Sequence, residues 1–285
     1  MKIWHVILVL CTVCGVALYG YLDAHRYEGL LLVSMLDVGQ GDAILITDPT
    51  GYQLLVDGGP DNGQVVQQLE QVMPVFDRSI NMIVLTHPDA DHIGGLAGVL
   101  DRYTVDTIVD NGVPKATETA NEFRRESQDE EVEILQLYAG QSIRTPGGVV
   151  FDVLSPYWNN IEIETNDNSI VMIMRYGEVS YLLTGDIGSS IEQRLVESYT
   201  PQVLNSTVLK VPHHGSRFSS SLSFLKAVAP SMAIASYSCE NDYGHPAQAS
   251  VRRYGYMSIP VYTTCDRGTF TLVSDGKEIW FDTDR

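Results

Sequence analysis

The chain opens on a near-continuous apolar stretch from Ile3 to Leu22, interrupted only by His5, Thr12 and small residues. About 20 residues of helix cross the hydrocarbon layer of a bilayer, so the pattern predicts a single transmembrane helix. A cleaved signal peptide would carry a shorter apolar core and a small-x-small site, which Leu18-Tyr19-Gly20-Tyr21 does not supply. Residues 1–22 are therefore read as a membrane anchor, 23–29 as a short tether holding the rest against the membrane surface, and 30–285 as one folded body. Lys2 precedes the span, whereas Asp23, His25, Arg26 and Glu28 follow it. This slight asymmetry orients the N-terminus inside and the body outside.

From Leu30 the pattern changes to short apolar runs between turn residues. LLVSMLD, a GQGD turn, AILIT, a DPTG turn and YQLLVDGG predict a hairpin-linked antiparallel meander. Asn62 to Met73 puts Val65, Val66, Leu69 and Val72 at helical spacing and stops at Pro74, and INMIVLT then reads as a buried strand. An apolar helix from Ile93 to Leu100, the strand VDTIVD, a polar helix through NEFRRESQDEE and the strand EILQLY follow. Residues 149 to 185 predict two hairpins, the second turning at Gly177-Glu178. Helix 188–198, strand TVLKV, helix 221–228, strand MAIASY, helix 247–254, strand VYTT and a hairpin ending at Trp280 complete the order. Two strand-rich halves decorated with helices predict an α/β fold in which two mixed sheets face each other, helices lie outside and a site lies between the halves. No internal repeat or Gly/Ser- or Pro-rich linker divides residues 30–285.

The composition, 44% hydrophobic with 24 Gly and 12 Pro, suits an ordinary globular α/β body. With 18 basic against 36 acidic residues the net charge is -18, which weighs against nonspecific binding of a polyanion. Most of that charge is read as solvated surface, and a bound metal pair would invert the field locally. Cys11 and Cys14 have C-x-x-C spacing but lie inside the apolar run, where packing is favoured over redox chemistry. Cys239 and Cys265 are far downstream, and no disulfide framework is implied.

Five of the seven histidines fall in three clusters after predicted strands: His87 and His92, then His213 and His214, then His245. Strand-end loops are where a rigid scaffold presents ligands, so convergence of these loops on one pocket is the economical explanation. In HPDADH, His87, Asp89, Asp91 and His92 occupy six residues, enough for one loop to serve two cations. Mixed imidazole and carboxylate donors suit Zn, Mn or Fe. Helix N-capping by Asp accounts for neither histidine. LLTGD ends a strand with Asp186 placed to bridge two cations, although alone it would read as a turn aspartate. KVPHHGS offers adjacent histidines that can be split between ligand and general acid, or between a functional and a structural imidazole.

The motifs DVGQGDA at 37–43, LLVDGG at 54–59, LTHPDADHIGG at 85–95, DNS at 167–169, LLTGD at 182–186, KVPHHGS at 210–216 and YGHP at 243–246 resemble the metallo-β-lactamase domain of ComEC-type DNA-internalisation proteins. The resemblance covers roughly residues 30 to 285. It implies the four-layer αββα sandwich, a dinuclear centre and a water-derived nucleophile. Asp89 stands where the wider superfamily usually has the second histidine of H-x-H-x-D-H, a change this subfamily shares. The usual third-motif histidine has no counterpart between Ile93 and Asp186, where Asn166 to Ser169 stand near its place, so a metal position is completed by His213 or His214 or is less fully ligated. ComEC-type transporters also carry a multi-helix channel and a further extracellular module. With one predicted span this chain reads as a free-standing version, to which hydrolysis carries over and transport does not. A separate channel protein is conceivable as a partner, though nothing in the sequence encodes it.

The expected ligand sets are His87, Asp89 and Asp186 for one divalent ion, Zn or Mn, and Asp91, His92, Asp186 and His245 for the other, with Asp186 bridging. The nucleophile is expected to be a water between them, as in two-metal phosphodiester hydrolysis. His213 or His214 would protonate the leaving oxygen, and Asp91, His213 and His214 are the candidate catalytic residues. Asp57 is expected to orient its loop, and Lys210 and Arg217 to contact phosphate. The leading expectation is thus a membrane-anchored, extracytoplasmic phosphodiesterase or nuclease acting on DNA. The competing readings are a hydrolase of a small ester, lactone or envelope phosphodiester, and a binding module without turnover.

Overall fold

The computed structural model describes residues 3–158 and 165–282. Lys2, on which the orientation reading leans, lies outside the described residues. Helix α1, Ile3–Ala24, takes up the apolar stretch; its window Ile3–Leu22 has a mean hydropathy of 2.1 and is not buried, so it is long and apolar enough to cross a membrane. Residues 25–30 are tied to the body rather than loose: the Tyr27 hydroxyl donates to Asp282 at 2.6 Å and the Gly29 N–H donates to the Pro49 carbonyl at 2.9 Å.

The body begins with β1 (Leu31–Met35), β2 (Ile44–Thr47) and β3 (Gln53–Val56), paired antiparallel as the meander predicts. Helix α2 (Gln64–Val72) buries Val65, Leu69 and Val72 and leads into β4 (Ser79–Val84). Then come α3 (Ala90–Ile93), α4 (Leu96–Arg102), β5 (Thr104–Asp110), α5 (Glu118–Asp129), β6 (Glu133–Gln136), β7 (Ser142–Arg144), β8 (Val150–Ser155), β9 (Val171–Tyr176) and β10 (Val179–Leu183). The last third holds α6 (Ser189–Ser198), α7 (Pro201–Leu204), β11 (Val208–Lys210), α8 (Leu222–Val228), β12 (Met232–Ala235), α9 (Gln248–Tyr256), β13 (Val261–Thr263), α10 (Thr264–Arg267), β14 (Phe270–Ser274) and β15 (Ile279–Phe281).

The strands form an eight-stranded sheet, β15-β14-β1-β2-β3-β4-β5-β6, and a seven-stranded sheet, β13-β12-β11-β10-β9-β8-β7. Both are mixed, because hairpins contribute antiparallel pairs and βα crossovers parallel ones. Strand alternation sorts the core into three slabs. In β9, Met172 and Met174 point between the sheets to join Val33, Leu54 and Phe151, whereas Val171 and Ile173 face α6 and α8. Leu55, Ile83 and Ile108 likewise face α2, α4 and α5. The order is therefore helix, sheet, sheet, helix, the expected four-layer sandwich.

Two expectations need correction. The apolar helix expected from Ile93 to Leu100 is broken at Gly94-Gly95, because the backbone there runs against the DGG turn. The Gly95 N–H bonds the Gly59 carbonyl at 3.1 Å, and a Cβ on Gly95 would stand 2.2 Å from the Gly58 carbonyl oxygen. The distant cysteines are also paired: Cys239, in the loop after β12, forms a disulfide with Cys265 in α10, their Cα atoms 5.0 Å apart. Sequence separation hid a contact that the β12-β13 pairing makes local.

Candidate metal centre

The parallel strands deliver the site from their C-terminal ends, where open α/β sheets place ligands. Asp57 follows β3, Thr86 and His87 follow β4, Asp186 follows β10, His213 and His214 follow β11, and Ser236 follows β12. The two sheets thus bring their polar loops to one end of the sandwich.

Asp91, His92, Asp186 and His214 each offer one donor atom, and these atoms all lie within 4.8 Å of one another. Oδ2 of Asp186 is 3.3 Å from Nε2 of His92 and 3.1 Å from Nε2 of His214, which is itself 3.4 Å from Oδ2 of Asp91. Donors about 2.0–2.1 Å from one tetrahedral cation stand roughly 3.3 Å apart, so this spacing suits a shared ion. The hydrogen-bond inventory agrees. Among the described residues, Nε2 of His87, His92 and His214 is buried without a hydrogen-bond partner, as is Nδ1 of His245. Buried polar atoms are otherwise nearly always hydrogen-bonded; here Nε2 of His92 and of His214 face carboxylates as ion pairs without a hydrogen bond, and with the His87 and His245 nitrogens they form a donor set that a divalent cation would satisfy. The residues present fit the metal implied by the resemblance.

Around these donors lies a shell that fixes them. Nδ1 of His92 is 2.8 Å from Oδ2 of Asp57, and Asp57 also accepts from the Thr86 N–H and hydroxyl at 2.7 Å each. Nδ1 of His214 is 2.8 Å from the Ser236 carbonyl. Each imidazole is thereby oriented so that Nε2 faces the cluster, the usual way a second partner selects the ligating nitrogen. Asp57, His213 and His214 have φ of 59°, 49° and 50°, left-handed conformations disfavoured for residues with a Cβ. Such outliers gather at functional sites because the surrounding contacts hold them there.

Buried charge at the centre is mutually compensated. Burial opposes ionisation of Asp186, yet His214, His92 and Lys210 hold its carboxyl well below the usual range. Burial also opposes the imidazolium of His214, but Asp186 and Asp42 outweigh it and raise the group to about 10. His92 is likewise held well above its ordinary value by Asp186 and Asp57 against burial. His87, desolvated and beside His92, falls well below its ordinary value, and burial with His213 and His214 lowers His245 to about 4. In the metal-free centre the carboxylates thus favour the charged form of His92 and His214, whereas burial favours the neutral form of His87, His213 and His245.

The structure brings some of the singled-out residues into this cluster and sets others apart. His87 packs its ring 4.1 Å from that of His92. His245 lies in the loop before α9, bracketed by Asn241, which accepts from its N–H at 3.0 Å and donates to its carbonyl at 2.6 Å; its ring is 6.3 Å from that of His214. His213 stands at the rim, 29% exposed, with Nε2 3.9 Å from Oδ2 of Asp186. Asp89 is outside the group of four and pairs with Lys115 at 2.7 Å. Of the DNS motif, the Asp167 carboxylate accepts from the Gly188 N–H and the Ser190 hydroxyl, and the Ser169 hydroxyl accepts from the Asp186 N–H at 3.1 Å. This motif supports the Asp186 loop instead of supplying a ligand.

Lys210 requires a correction. It was expected to touch phosphate, but it is only 1% exposed and its ammonium pairs with the carboxylates of Asp42 and Asp186. It serves as a buried counter-ion. Arg217 is exposed, its guanidinium 5.4 Å from the Phe218 ring. Asp42 and Ser236 were missed as supporting residues; the DVGQGDA motif contains Asp42, whereas a backbone carbonyl such as that of Ser236 leaves no side-chain signal. The open groove at the mouth is lined by Gln40, Asp61, Asn62, Asp91, Glu240 and Asp242, among others, which makes its rim acidic.

Comparison with known proteins matches residues 36–238 to the family model of the metallo-beta-lactamase superfamily. ComE operon protein 3 of Bacillus subtilis (strain 168) is 30% identical over 256 residues, covering 83% of this chain and 32% of that protein. Competence protein ComA of Neisseria gonorrhoeae is 30% identical over 241 residues, covering 83% and 31%. The chain thus spans about a third of the length of the curated relatives it matches. Among solved structures, the metallo-beta-lactamase fold protein YhfI from Bacillus subtilis superposes with a TM-score of 0.55 at 14% identity, covering 88% of this chain and 99% of that one, which shows the shared fold.

Proposed function

The chain belongs to the metallo-β-lactamase superfamily, whose members are generally metal-dependent hydrolases, and from that premise we propose that it is a membrane-anchored phosphodiesterase acting on nucleic acid, with its body outside the membrane. The observation that carries the hydrolytic reading is the buried group Asp91, His92, Asp186 and His214 with its imidazole nitrogens. The nucleic-acid substrate is taken from the likeness to competence proteins. The Cys239–Cys265 disulfide supports the outside location, because such bonds persist in oxidising compartments.

Asp91, His92, Asp186 and His214 would hold one divalent ion, and His87 and His245, with Asp186 between the groups, would take part in holding a second. When bound, such ions lower the pKa of water and stabilise charge on a phosphodiester. The chain's own residues do the remainder. Asp57 and the Ser236 carbonyl keep two imidazoles aimed, and Lys210 offsets the charge of Asp42 and Asp186. His213, part-exposed with Nε2 3.9 Å from Asp186, would protonate the departing oxygen from its imidazolium form, which burial disfavours, so it would first take up a proton from solvent at the open rim.

The acidic mouth favours one second reading, hydrolysis of a small ester or envelope phosphodiester with little negative charge outside the reacting group. The two readings separate on one experiment: incubation of the full chain in detergent with labelled single- and double-stranded DNA and added Mn or Zn, alongside Asp91→Ala and His245→Ala. Cleavage by the parent, lost in both variants, is expected. Intact DNA in the presence of stoichiometrically bound metal would transfer the proposal to the small substrate.

A further inference from the structure

Large exposed apolar side chains are concentrated on α1, but two stand on the body beside it. Val75 and Phe76, in the turn between α2 and β4, are 46% and 68% exposed. The Phe76 ring lies against the backbone of Gly20, where a Cβ would come within 2.7 Å of it. Val75 shares a cleft with Tyr19 and Arg26. At about 1.5 Å rise per residue, Gly20 sits only about 3 Å along the axis from the end of the apolar window at Leu22. Phe76 is therefore level with the terminal turn of the span, in the company of the exposed rings of Tyr19 and Tyr21. Aromatic side chains collect at this depth in membrane proteins because their rings suit the headgroup boundary.

The joint between helix and body fixes this relationship. Tyr27 bonds Asp282 and Gly29 bonds Pro49, so the segment after α1 is fastened at two points to the eight-stranded side of the sandwich. A body so attached cannot carry the 74–77 turn far from the end of the span.

We propose that the turn holding Val75 and Phe76 is a second contact with the lipid bilayer, its side chains inserted at headgroup level beside the end of α1. This rests on the reading of α1 as a membrane span. The occupant of the patch is lipid because the patch is continuous with a helix that itself requires lipid. The two contacts together fix how the body is rotated about α1, and hence which face of the sandwich looks away from the membrane.

The test uses the full chain reconstituted in vesicles, with Cys11→Ser and Cys14→Ser leaving the disulfide in place. A nitrobenzoxadiazole label is attached at Phe76→Cys, at Val13→Cys within the span, or at Glu130→Cys, which is exposed at the end of α5 beside the far-edge strand β6. Vesicles carry phosphatidylcholine with a doxyl quencher high or low on the acyl chain. The expected result is quenching at Phe76 by the shallow quencher at least about twofold stronger than at Glu130, with Val13 quenched by the deep one. Quenching at Val13 but not at Phe76 would overturn the proposal and leave the span standing. No quenching at Val13 would remove the span and the proposal together. A blue shift at Phe76 that resists doxyl lipid and disappears on lowering the protein-to-lipid ratio would assign the patch to a second copy of the chain and overturn it as well.

Discussion

Oδ2 of Asp57 lies 2.8 Å from Nδ1 of His92, with both side chains buried, so the carboxylate sets which face of the imidazole looks into the metal cluster. Asp57 takes up no donor position in the group of four, yet it determines the quality of one. Outer partners of this kind are typically worth about 10–100-fold in metal affinity. Asp57→Ala is therefore expected to weaken Zn or Mn binding by about that factor, read by competition with a chromophoric chelator. An unchanged affinity would restrict Asp57 to holding Thr86.

Metal uptake should release protons. In the metal-free centre His214 stands at about 10 and so is cationic at pH 7, and Asp186 and Asp57 shift His92 in the same direction. A cation binds only the neutral imidazole. Titration calorimetry in buffers of different ionisation enthalpy should show proton release at pH 7, with apparent affinity rising from pH 6 to 9. The sign for stability is opposite. A histidine raised in the folded state stabilises it fully below the ordinary value of 6.5, and that contribution fades as pH rises through about 10. The chelated protein should thus lose stability with increasing pH over the range in which metal binding strengthens.

Lys210 is the third point of attack. Removing one partner from a buried ionic network typically destabilises by about 3–5 kcal/mol, because the remaining charge is left uncompensated. Lys210→Met leaves Asp42 and Asp186 facing each other without their shared cation. Urea denaturation in chelator should show a loss of that order, and added divalent metal should recover part of it. A full recovery of DNA cleavage in the folded variant would agree with the buried counter-ion role, since a phosphate contact would remain missing.

Much of this arrangement was legible in the sequence because periodicity and turn chemistry are local. The meander through Val56, helix α2 with its Val65, Leu69 and Val72 face, and the strand feeding His87 each follow from short windows. Asp186 and the HPDADH loop stand out because polar residues directly follow apolar strands. What sequence could not supply is depth. Lys210 ends a strand like any surface lysine would, and only the stacking of the two sheets buries it. His213 and His214 are neighbours with identical chemistry, and only the left-handed backbone at both positions separates a buried cluster member from a rim residue. Cys239 and Cys265 meet for the same reason, through sheet pairing and not through spacing.

That disulfide carries its own prediction. It closes a loop of 26 residues containing Asn241 and His245. In the chain-entropy account a loop of this size corresponds to about 3.5 kcal/mol. Cys239→Ser with Cys265→Ser should lower stability by up to that amount. Because the loop also positions His245, metal affinity should fall further than it does when the fold is destabilised equally at Leu204→Ala, a buried α7 residue before β11 and so at the opposite end of that strand from His214.

The adjacent histidines offer the sharpest division of roles. His214 is buried, has its Nδ1 held by the Ser236 carbonyl and places Nε2 3.1 Å from Asp186 and 3.4 Å from Asp91. His213 is part-exposed, lies 3.9 Å from Asp186 and has Nδ2 of Asn166 3.4 Å from its own Nε2. His214→Ala is expected to abolish stoichiometric metal binding, and with it any turnover. His213→Ala should keep the metal while lowering kcat by about 10²–10⁴, the usual contribution of a positioned proton-transfer group. Metal content by atomic absorption, measured on the same preparations as the rate, separates these outcomes. If His213→Ala also lost its metal, His213 would be a ligand whose ring moves inward on binding, and the proton-transfer role would pass to a group at the groove mouth. If it kept both metal and full rate, the leaving oxygen would be protonated by solvent, as the exposure of this rim allows.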